Sequence, residues 1–109
     1  MVGGSVNAAL SNFSKALAAQ GLVDDVNVNW ILPGMTETER MERLLEGKAK
    51  MQNKTKEEVR ADSIRHEGIR RLGLPEDVAE LVMFLCSPAA RHIQGAGIPV
   101  DGGAGKGYY

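Results

Sequence analysis

The chain has 109 residues, 43% of them hydrophobic, and a formal net charge of −1, which is enough for one small domain with a modest core. The near-neutral charge argues against a nucleic-acid partner, and the absence of an apolar run near the roughly 20 residues that a bilayer needs argues against a membrane partner. The single cysteine cannot form an internal disulfide, and the N-terminus has no basic segment followed by an apolar one, as a secretory signal would. Both observations favour a reducing, cytoplasmic location.

The first predicted element is a helix over 5–20. Its apolar residues recur at helical spacing, and they are Val6, Leu10, Phe13 and Leu17. Gly21 is predicted to end the helix as a C-cap. Asp24 and Asp25 are predicted to form the loop that follows.

A short apolar run over 26–32, stopped by Pro33 and Gly34, is typical of a buried strand. Trp30 is expected in the core, or half exposed if the sheet is only partial. In an open α/β sheet, ligands bind just beyond the carboxyl ends of the strands. The loop after Gly34 is therefore the expected position of a cofactor.

The segment 36–70 is charged and weakly patterned. Thr36 and Glu39 form a capping-box pattern that predicts a helix over 40–47, with Met41, Leu44 and Leu45 facing inward. A second such pattern, which begins at Thr55, predicts another helix through about His66. We expect this segment to be mobile and loosely packed, because its second helix has few strong apolar residues.

Pro75 suits the first position of a fourth helix, which Ser87 and Pro88 end. The predicted buried stripe of this helix consists of Val78, Leu81, Val82 and Leu85. A second strand follows around 98–100, and Pro99 places it at a sheet edge because proline cannot donate a ladder hydrogen bond. The glycine-rich tail over 104–109 ends in two tyrosines.

This order predicts two parallel strands joined by a right-handed helical crossover. A two-stranded parallel sheet is too small to be stable alone, and parallel sheets require helices on both faces. The sequence therefore predicts a single partial domain over 1–109 whose sheet partners are missing.

Four groups of residues together resemble the C-terminal half of a short-chain dehydrogenase/reductase. They are N-A-A-L with K-A-L-A (7–10, 15–18), V-N-W-I-L-P-G (28–34), R-L-G-L-P-E-D-V-A with F-L-C-S (71–79, 84–87) and G-A-G-I-P-V-D-G-G (95–103). The resemblance implies an α/β fold, the C-terminal half of a Rossmann-like doubly wound parallel sheet, and two strands that are the last two of seven.

The resemblance also implies a cofactor site. The segment 36–70 corresponds to the substrate loop that covers the nicotinamide end of NAD(H) or NADP(H). The residues that match the nicotinamide-contacting segment are Pro33, Gly34, Met35, Thr36 and Thr38. For Thr36 and Thr38, helix capping is an equal alternative to cofactor binding.

The catalytic positions depart from the family pattern. Gly3 and Asn7 occupy the positions of the family's catalytic tyrosine and lysine. Neither can transfer the substrate proton or lower the pKa of a group that does. We therefore expect a C-terminal fragment of an NAD(P)(H)-dependent oxidoreductase that is inactive alone and binds no cofactor tightly. The alternative is a degenerate, non-catalytic interaction module, and the resemblance favours homo-oligomers, dimers or tetramers, under both hypotheses.

Other candidate sites are weaker. His66 and His92 lack metal-ligand spacing, so no metal site is expected. Cys86 is predicted to be a small core residue. The segment 102–107 lacks the elements of a phosphate loop. Arg70 and Arg71 could contact a cofactor phosphate, although two solvated arginines are the simpler interpretation.

Overall fold

The computed structural model describes residues 2–107, with side chains from residue 4. Its elements are α1 (Val2–Asp24), β1 (Trp30–Pro33), α2 (Glu39–Gln52), α3 (Lys56–Glu67), α4 (Pro75–Leu85), a 3-10 helix (Pro88–Ala90) and β2 (Gly97–Val100). The described chain divides into two compact units. The first unit comprises 2–32 and 80–99, and the second comprises 33–79 and 100–107.

The strands β1 and β2 pair with each other in a two-stranded sheet. The Trp30 N–H donates to the Ala96 carbonyl at 3.0 Å, and the Gly34 N–H donates to the Val100 carbonyl at 3.0 Å. From the first bond to the second, the donor advances four residues along the chain and so does the acceptor, which is the register of parallel strands. The predicted α/β class with parallel strands and flanking helices is confirmed.

The first strand is shorter and less buried than predicted. It begins at Trp30 instead of residue 26, and its residues are half-buried or exposed. Before Trp30, side-chain amides add to the backbone bond that the Gly95 N–H donates to the Val28 carbonyl at 2.8 Å. The Val28 N–H donates to Gln94 Oε1 at 2.6 Å, and Asn29 Nδ2 donates to the Ile93 carbonyl at 2.9 Å.

Helix α1 continues past the predicted cap. Gly21 lies inside the helix, so its prediction as the C-cap is wrong. Asp25 takes the left-handed conformation instead, with φ of 56°, and the Val26 N–H donates to the Gly21 carbonyl at 2.9 Å. This six-residue bond is the Schellman closure of a helix end.

The face of α1 that packs against the rest of the first unit carries small and polar residues. Ala18 is buried, and Lys15 Nζ donates to the Gly95 carbonyl at 2.7 Å. The apolar stripe predicted from the helical spacing exists but is exposed: Phe13, for example, is 62% exposed.

In the second unit, α2 and α3 pack together around a small apolar cluster. Leu45 is 1% exposed and Val59 is 2% exposed, with Ala49 beside them and Met41 packed against the cluster. The expectation of loose packing over 36–70 is therefore wrong. The inward orientation predicted for Leu44 is also wrong, because this side chain is half exposed.

The helix starts of the second unit depend on two threonines. Thr38, and not Thr36, caps α2: its hydroxyl accepts from the Met41 N–H at 3.2 Å. The helix then extends to Gln52, beyond the predicted end at 47. The predicted capping box at Thr55 and Glu58 is confirmed, with both reciprocal hydrogen bonds present.

Helix α4 starts at Pro75, as predicted, but none of its residues is buried. Val82 is 42% exposed, and Cys86 just after the helix is exposed, so the predicted buried stripe and the predicted core cysteine are wrong. The described residues leave much of this apolar face uncovered. No helix within residues 2–107 combines the length and the hydropathy that crossing a bilayer requires.

Candidate functional site

The residues assigned to the nicotinamide by resemblance lie together along one groove of the second unit. The groove has a volume of about 410 Å³ and is lined by Pro33, Gly34, Met35, Thr36, Thr38, Arg40, Met41 and Leu44. Pro33 is the last residue of β1, the next four come from the loop between β1 and α2, and the last three come from the first turns of α2.

Backbone hydrogen bonds fix the loop that forms this groove. The Gly73 N–H donates to the Met35 carbonyl at 2.8 Å, and the Glu37 N–H donates to the Gly73 carbonyl at 2.8 Å. These two bonds form a parallel bridge between Thr36 and Gly73. Together with the Gly34 bond to Val100, they hold the loop in one conformation.

Gly34 is required because of its contact with Asp101. A Cβ atom at position 34 would lie 2.7 Å from the Cα of Asp101. The Asp101 carboxylate accepts from the Gly103 N–H at 2.9 Å and the Gly105 N–H at 2.8 Å, and these bonds lower its pKa. Gly102 and Gly103 have φ of 64° and 89°, which permits this tight turn.

Several polar groups of the loop remain available to a ligand. Among the described residues, the backbone N–H groups of Met35 and Thr36 have no hydrogen-bond acceptor. The Thr36 hydroxyl donates to the Gly34 carbonyl at 3.1 Å, and its oxygen can still accept. These donors and acceptors, next to Met35 and Met41, fit the carboxamide and the ring of a nicotinamide.

An ion-pair network ties α3 to α2 and to the loop. The Arg60 guanidinium contacts Glu37 and Glu42, each at 2.5 Å, and Lys56 Nζ contacts Glu42 at 2.7 Å. Lys56 and then Arg60, as hydrogen-bond partners, lower the pKa of Glu42. Arg40, in contrast, has no carboxylate partner among the described residues and lies free along the groove.

The two arginines considered for a cofactor phosphate differ. Arg71 is bound to Asp77 through two hydrogen bonds of 2.7 and 2.9 Å, and Arg70 is exposed. Asp77 also accepts from the Leu74 N–H at 2.7 Å, which closes the start of α4. Arg71, and then the Leu74 N–H, lower the pKa of Asp77 to about 2. The Arg71–Asp77 pair was not predicted from the sequence. An acidic residue at the third helix position indicates only the bond from the Leu74 N–H.

The positions of the family's catalytic pair lie on α1. Gly3 lies in the helix, and the structure describes side chains only from residue 4. Asn7 is exposed, and its carbonyl accepts from the Ser11 hydroxyl at 2.9 Å. Neither residue carries an ionisable side chain.

A cleft of about 760 Å³ between α1 and the sheet was not anticipated. Its helix side is lined by Ala8, Ser11, Asn12 and Lys15, and its sheet side by Trp30, Gly95, Ala96 and Gly97. Trp30 lies against Gly97, where a Cβ would be 2.5 Å from the indole ring. Within residues 2–107, no three His, Cys, Asp or Glu side chains are grouped to hold a metal ion.

A family model described as enoyl-(acyl carrier protein) reductase matches residues 2–105. The chain belongs to the short-chain dehydrogenase/reductase family. This short-chain dehydrogenase/reductase chain is 38% identical over 96 residues to dehydrogenase/reductase SDR family member 4 of Oryctolagus cuniculus, covering 88% of this chain and 34% of that protein.

Solved structures of the family superpose on this chain. The L-sorbose reductase of Gluconobacter frateurii, in complex with NADPH and L-sorbose, superposes with a TM-score of 0.83 at 32% identity, over 93% of this chain and 39% of that one. A 4-hydroxyisoleucine dehydrogenase in complex with NADH superposes with a TM-score of 0.74 at 28% identity, over 92% and 37%. The chain spans about a third of the length of the curated relatives it matches. The predicted family and fold are confirmed, and these structural neighbours bind NADPH or NADH.

Proposed function

We propose that this short-chain dehydrogenase/reductase chain provides the nicotinamide-side loop and the substrate loop of an NAD(P)(H)-dependent oxidoreductase. The observation that carries the proposal is the groove over 33–44, which unites all five residues assigned by resemblance. Its loop is held at Gly34, Met35 and Glu37 by backbone bonds, so the groove is pre-formed. Pre-formed concave sites with few polar groups are typical of cofactor binding.

Each group of the groove has a role in the proposal. The free N–H groups of Met35 and Thr36 would donate to the carboxamide oxygen, and the Thr36 oxygen would accept from its NH₂. Met35 and Met41 would contact the ring and keep water from it. The nicotinamide, when bound, supplies or accepts the hydride.

The proton of the substrate hydroxyl would have to come from elsewhere. Gly3 and Asn7 have no group that ionises, so we propose that the chain by itself transfers no proton and has no turnover. We propose NAD or NADP as the cofactor of the complete site and no tight binding by this chain alone. A cytoplasmic location belongs to the same proposal.

The test is a titration of the chain with NADPH and with NADH, followed by amide NMR. We expect weak, fast-exchanging shifts at the backbone of 34–38 and no turnover with added carbonyl compounds. Thr36→Val removes the oxygen proposed to accept from the carboxamide and should weaken binding by about 2- to 10-fold, so that these shifts become smaller at the same cofactor concentration. Thr55→Val, at a cap away from the groove, should leave them intact. Shifts confined to other residues would refute the assignment.

A second candidate function is an interaction module that forms homo-oligomers. The observation that favours it is the exposed apolar stripe of α1, where Val6, Leu10 and Phe13 are all largely solvent-exposed. Val82, Met83 and Phe84 of α4 are exposed as well. Contiguous apolar surface of this kind typically marks an interface. Sedimentation should then show a dimer or tetramer that Phe13→Glu dissociates, whereas a monomer at high concentration would exclude the interaction.

A further inference from the structure

A second cavity of the second unit lies between α2 and α3. It has a volume of about 190 Å³, below the roughly 300–1,000 Å³ of pockets that hold drug-sized ligands. It therefore has room for a small molecule or for one end of a larger one. Met35 lines both this cavity and the groove described above, so the two are neighbours at this residue.

Polar side chains converge on this cavity from two helices. Lys48 and Gln52 project from the same face of α2, four residues apart, and Ser63, His66 and Glu67 project from one face of α3. None of these five side chains has a hydrogen-bond or ion-pair partner among the described residues. The sixth polar residue, Asp62, is paired with Lys54 at 2.8 Å and with Arg65 at 3.0 Å.

The charges around the cavity nearly cancel. Lys48 and Glu67 carry opposite charges, and Asp62 is already neutralised by its two partners. A lone anion would meet Glu67 and a lone cation would meet Lys48, so neither has an advantage. The polar groups instead offer ammonium, amide, hydroxyl, imidazole and carboxylate partners, which both donate and accept hydrogen bonds.

The wall of the cavity also includes apolar atoms. Val59 is 2% exposed and belongs to the core cluster, and Met35 is half-buried. An apolar patch surrounded by mixed donors and acceptors suits a molecule with C–H groups on one side and hydroxyls around its edge. Neutral polyhydroxylated compounds have this pattern.

We infer that the α2–α3 cavity binds a small neutral polyol, or the polyhydroxylated end of a substrate, through Lys48, Gln52, Ser63, His66 and Glu67. The position of this subsite beside the nicotinamide rests on the proposed function, because it depends on the role of Met35. The binding of the polyol itself does not, since the probe contains no nucleotide.

The test is an amide NMR titration of the full chain with D-sorbitol, with sodium acetate and tetramethylammonium chloride as charged comparisons. We expect saturable shifts with sorbitol, at millimolar concentration, confined to 48–52 and 63–67. Ser63→Ala and His66→Ala should each weaken binding by about 2- to 10-fold, as expected for the loss of one hydrogen bond. His92→Ala, the same change at the other histidine, should have no effect.

The spectrum of each variant reports whether it folds, and the exposed Gln52→Ala provides a third variant if one of the others does not. Saturable shifts with acetate or tetramethylammonium but not with sorbitol would overturn the inference. So would the absence of saturable shifts with any probe. Sorbitol binding together with a failed NADPH titration would leave the polyol site standing and refute only the proposed cofactor groove.

Discussion

The Cα of Asp101 lies where a side chain at Gly34 would have to go, 2.7 Å from the position of its Cβ. Asp101 is itself held by the N–H groups of Gly103 and Gly105, so it cannot easily move aside. This contact joins the end of β2 to the start of the loop that lines the groove. The shape of the groove therefore depends on the absence of a side chain at position 34.

Gly34→Ala should destabilise the chain by about 1–3 kcal/mol, because the added methyl group must displace well-fixed backbone. Chemical denaturation measures this difference. Gly47→Ala is the matched control: nothing lies within 4 Å of the new methyl group, and an alanine inside α2 should stabilise the helix by about 1 kcal/mol. Equal effects of the two substitutions would contradict the steric account.

The Arg71–Asp77 pair predicts a pH dependence. The pKa of Asp77 is about 2 in the folded chain, below its ordinary 3.8. The ionised carboxylate therefore contributes stability above pH 3.8, and this contribution is lost as the pH falls towards about 2. A carboxyl NMR titration should give the low midpoint, and Arg71→Ala should raise it. Asp101, whose pKa is lowered by the N–H groups of Gly103 and Gly105 and not by Arg71, is the control whose midpoint should not respond.

Gln94 is predicted to stabilise the first unit through three hydrogen bonds. Its side chain accepts from the Val28 N–H at 2.6 Å and donates to the carbonyls of Ala18 and Val26 at 2.8 and 3.0 Å. Gln94→Ala should cost about 2–4 kcal/mol in urea denaturation, from three bonds of roughly 1 kcal/mol each. Gln20→Ala removes one exposed bond of 3.3 Å and should change stability little. If Gln94→Ala left the free energy of unfolding unchanged, these three bonds would not stabilise the segment between α1 and β1.

The two threonines of the groove are expected to differ in their effects on stability. Thr38 caps α2, so Thr38→Ala should lower stability by about 1 kcal/mol, as seen for lost N-caps. Thr36 makes only a local bond to the Gly34 carbonyl, so Thr36→Val should leave stability nearly unchanged. Thermal unfolding of both variants distinguishes the roles. A larger loss for Thr36→Val would assign it a structural role that the observed contacts do not show.

Several features followed from the sequence because they depend on local chemistry. The helix starts at Pro75 and Thr55 and the parallel pairing of two short strands were predicted correctly. The two helix starts depend on residues within one turn of the chain. The strand pairing follows from the general rule for a helical crossover between parallel strands. The grouping of 33–38 along one groove agrees with the family resemblance, although its ligand stays a prediction.

The errors concern features that depend on distant parts of the chain. Gly21 was expected to end α1, but Asp25 adopts the left-handed conformation, in a turn closed by Val26 and held by the side chain of Gln94. The apolar stripe of α4 was expected to be buried, but Val82 is 42% exposed. Periodicity shows that a helix face is apolar but not what covers it. The α2–α3 cavity could not be foreseen, since its polar groups come from two helices with no shared motif.

We propose that the loop over 33–38 contacts the nicotinamide of a cofactor that this chain alone holds only weakly. The most direct test is the titration of the isotope-labelled chain with NADPH. We predict weak, unsaturated shifts at the backbone of Met35 and Thr36, which Thr36→Val should make smaller. Tight, saturable binding, or shifts that leave 33–38 unaffected, would contradict it.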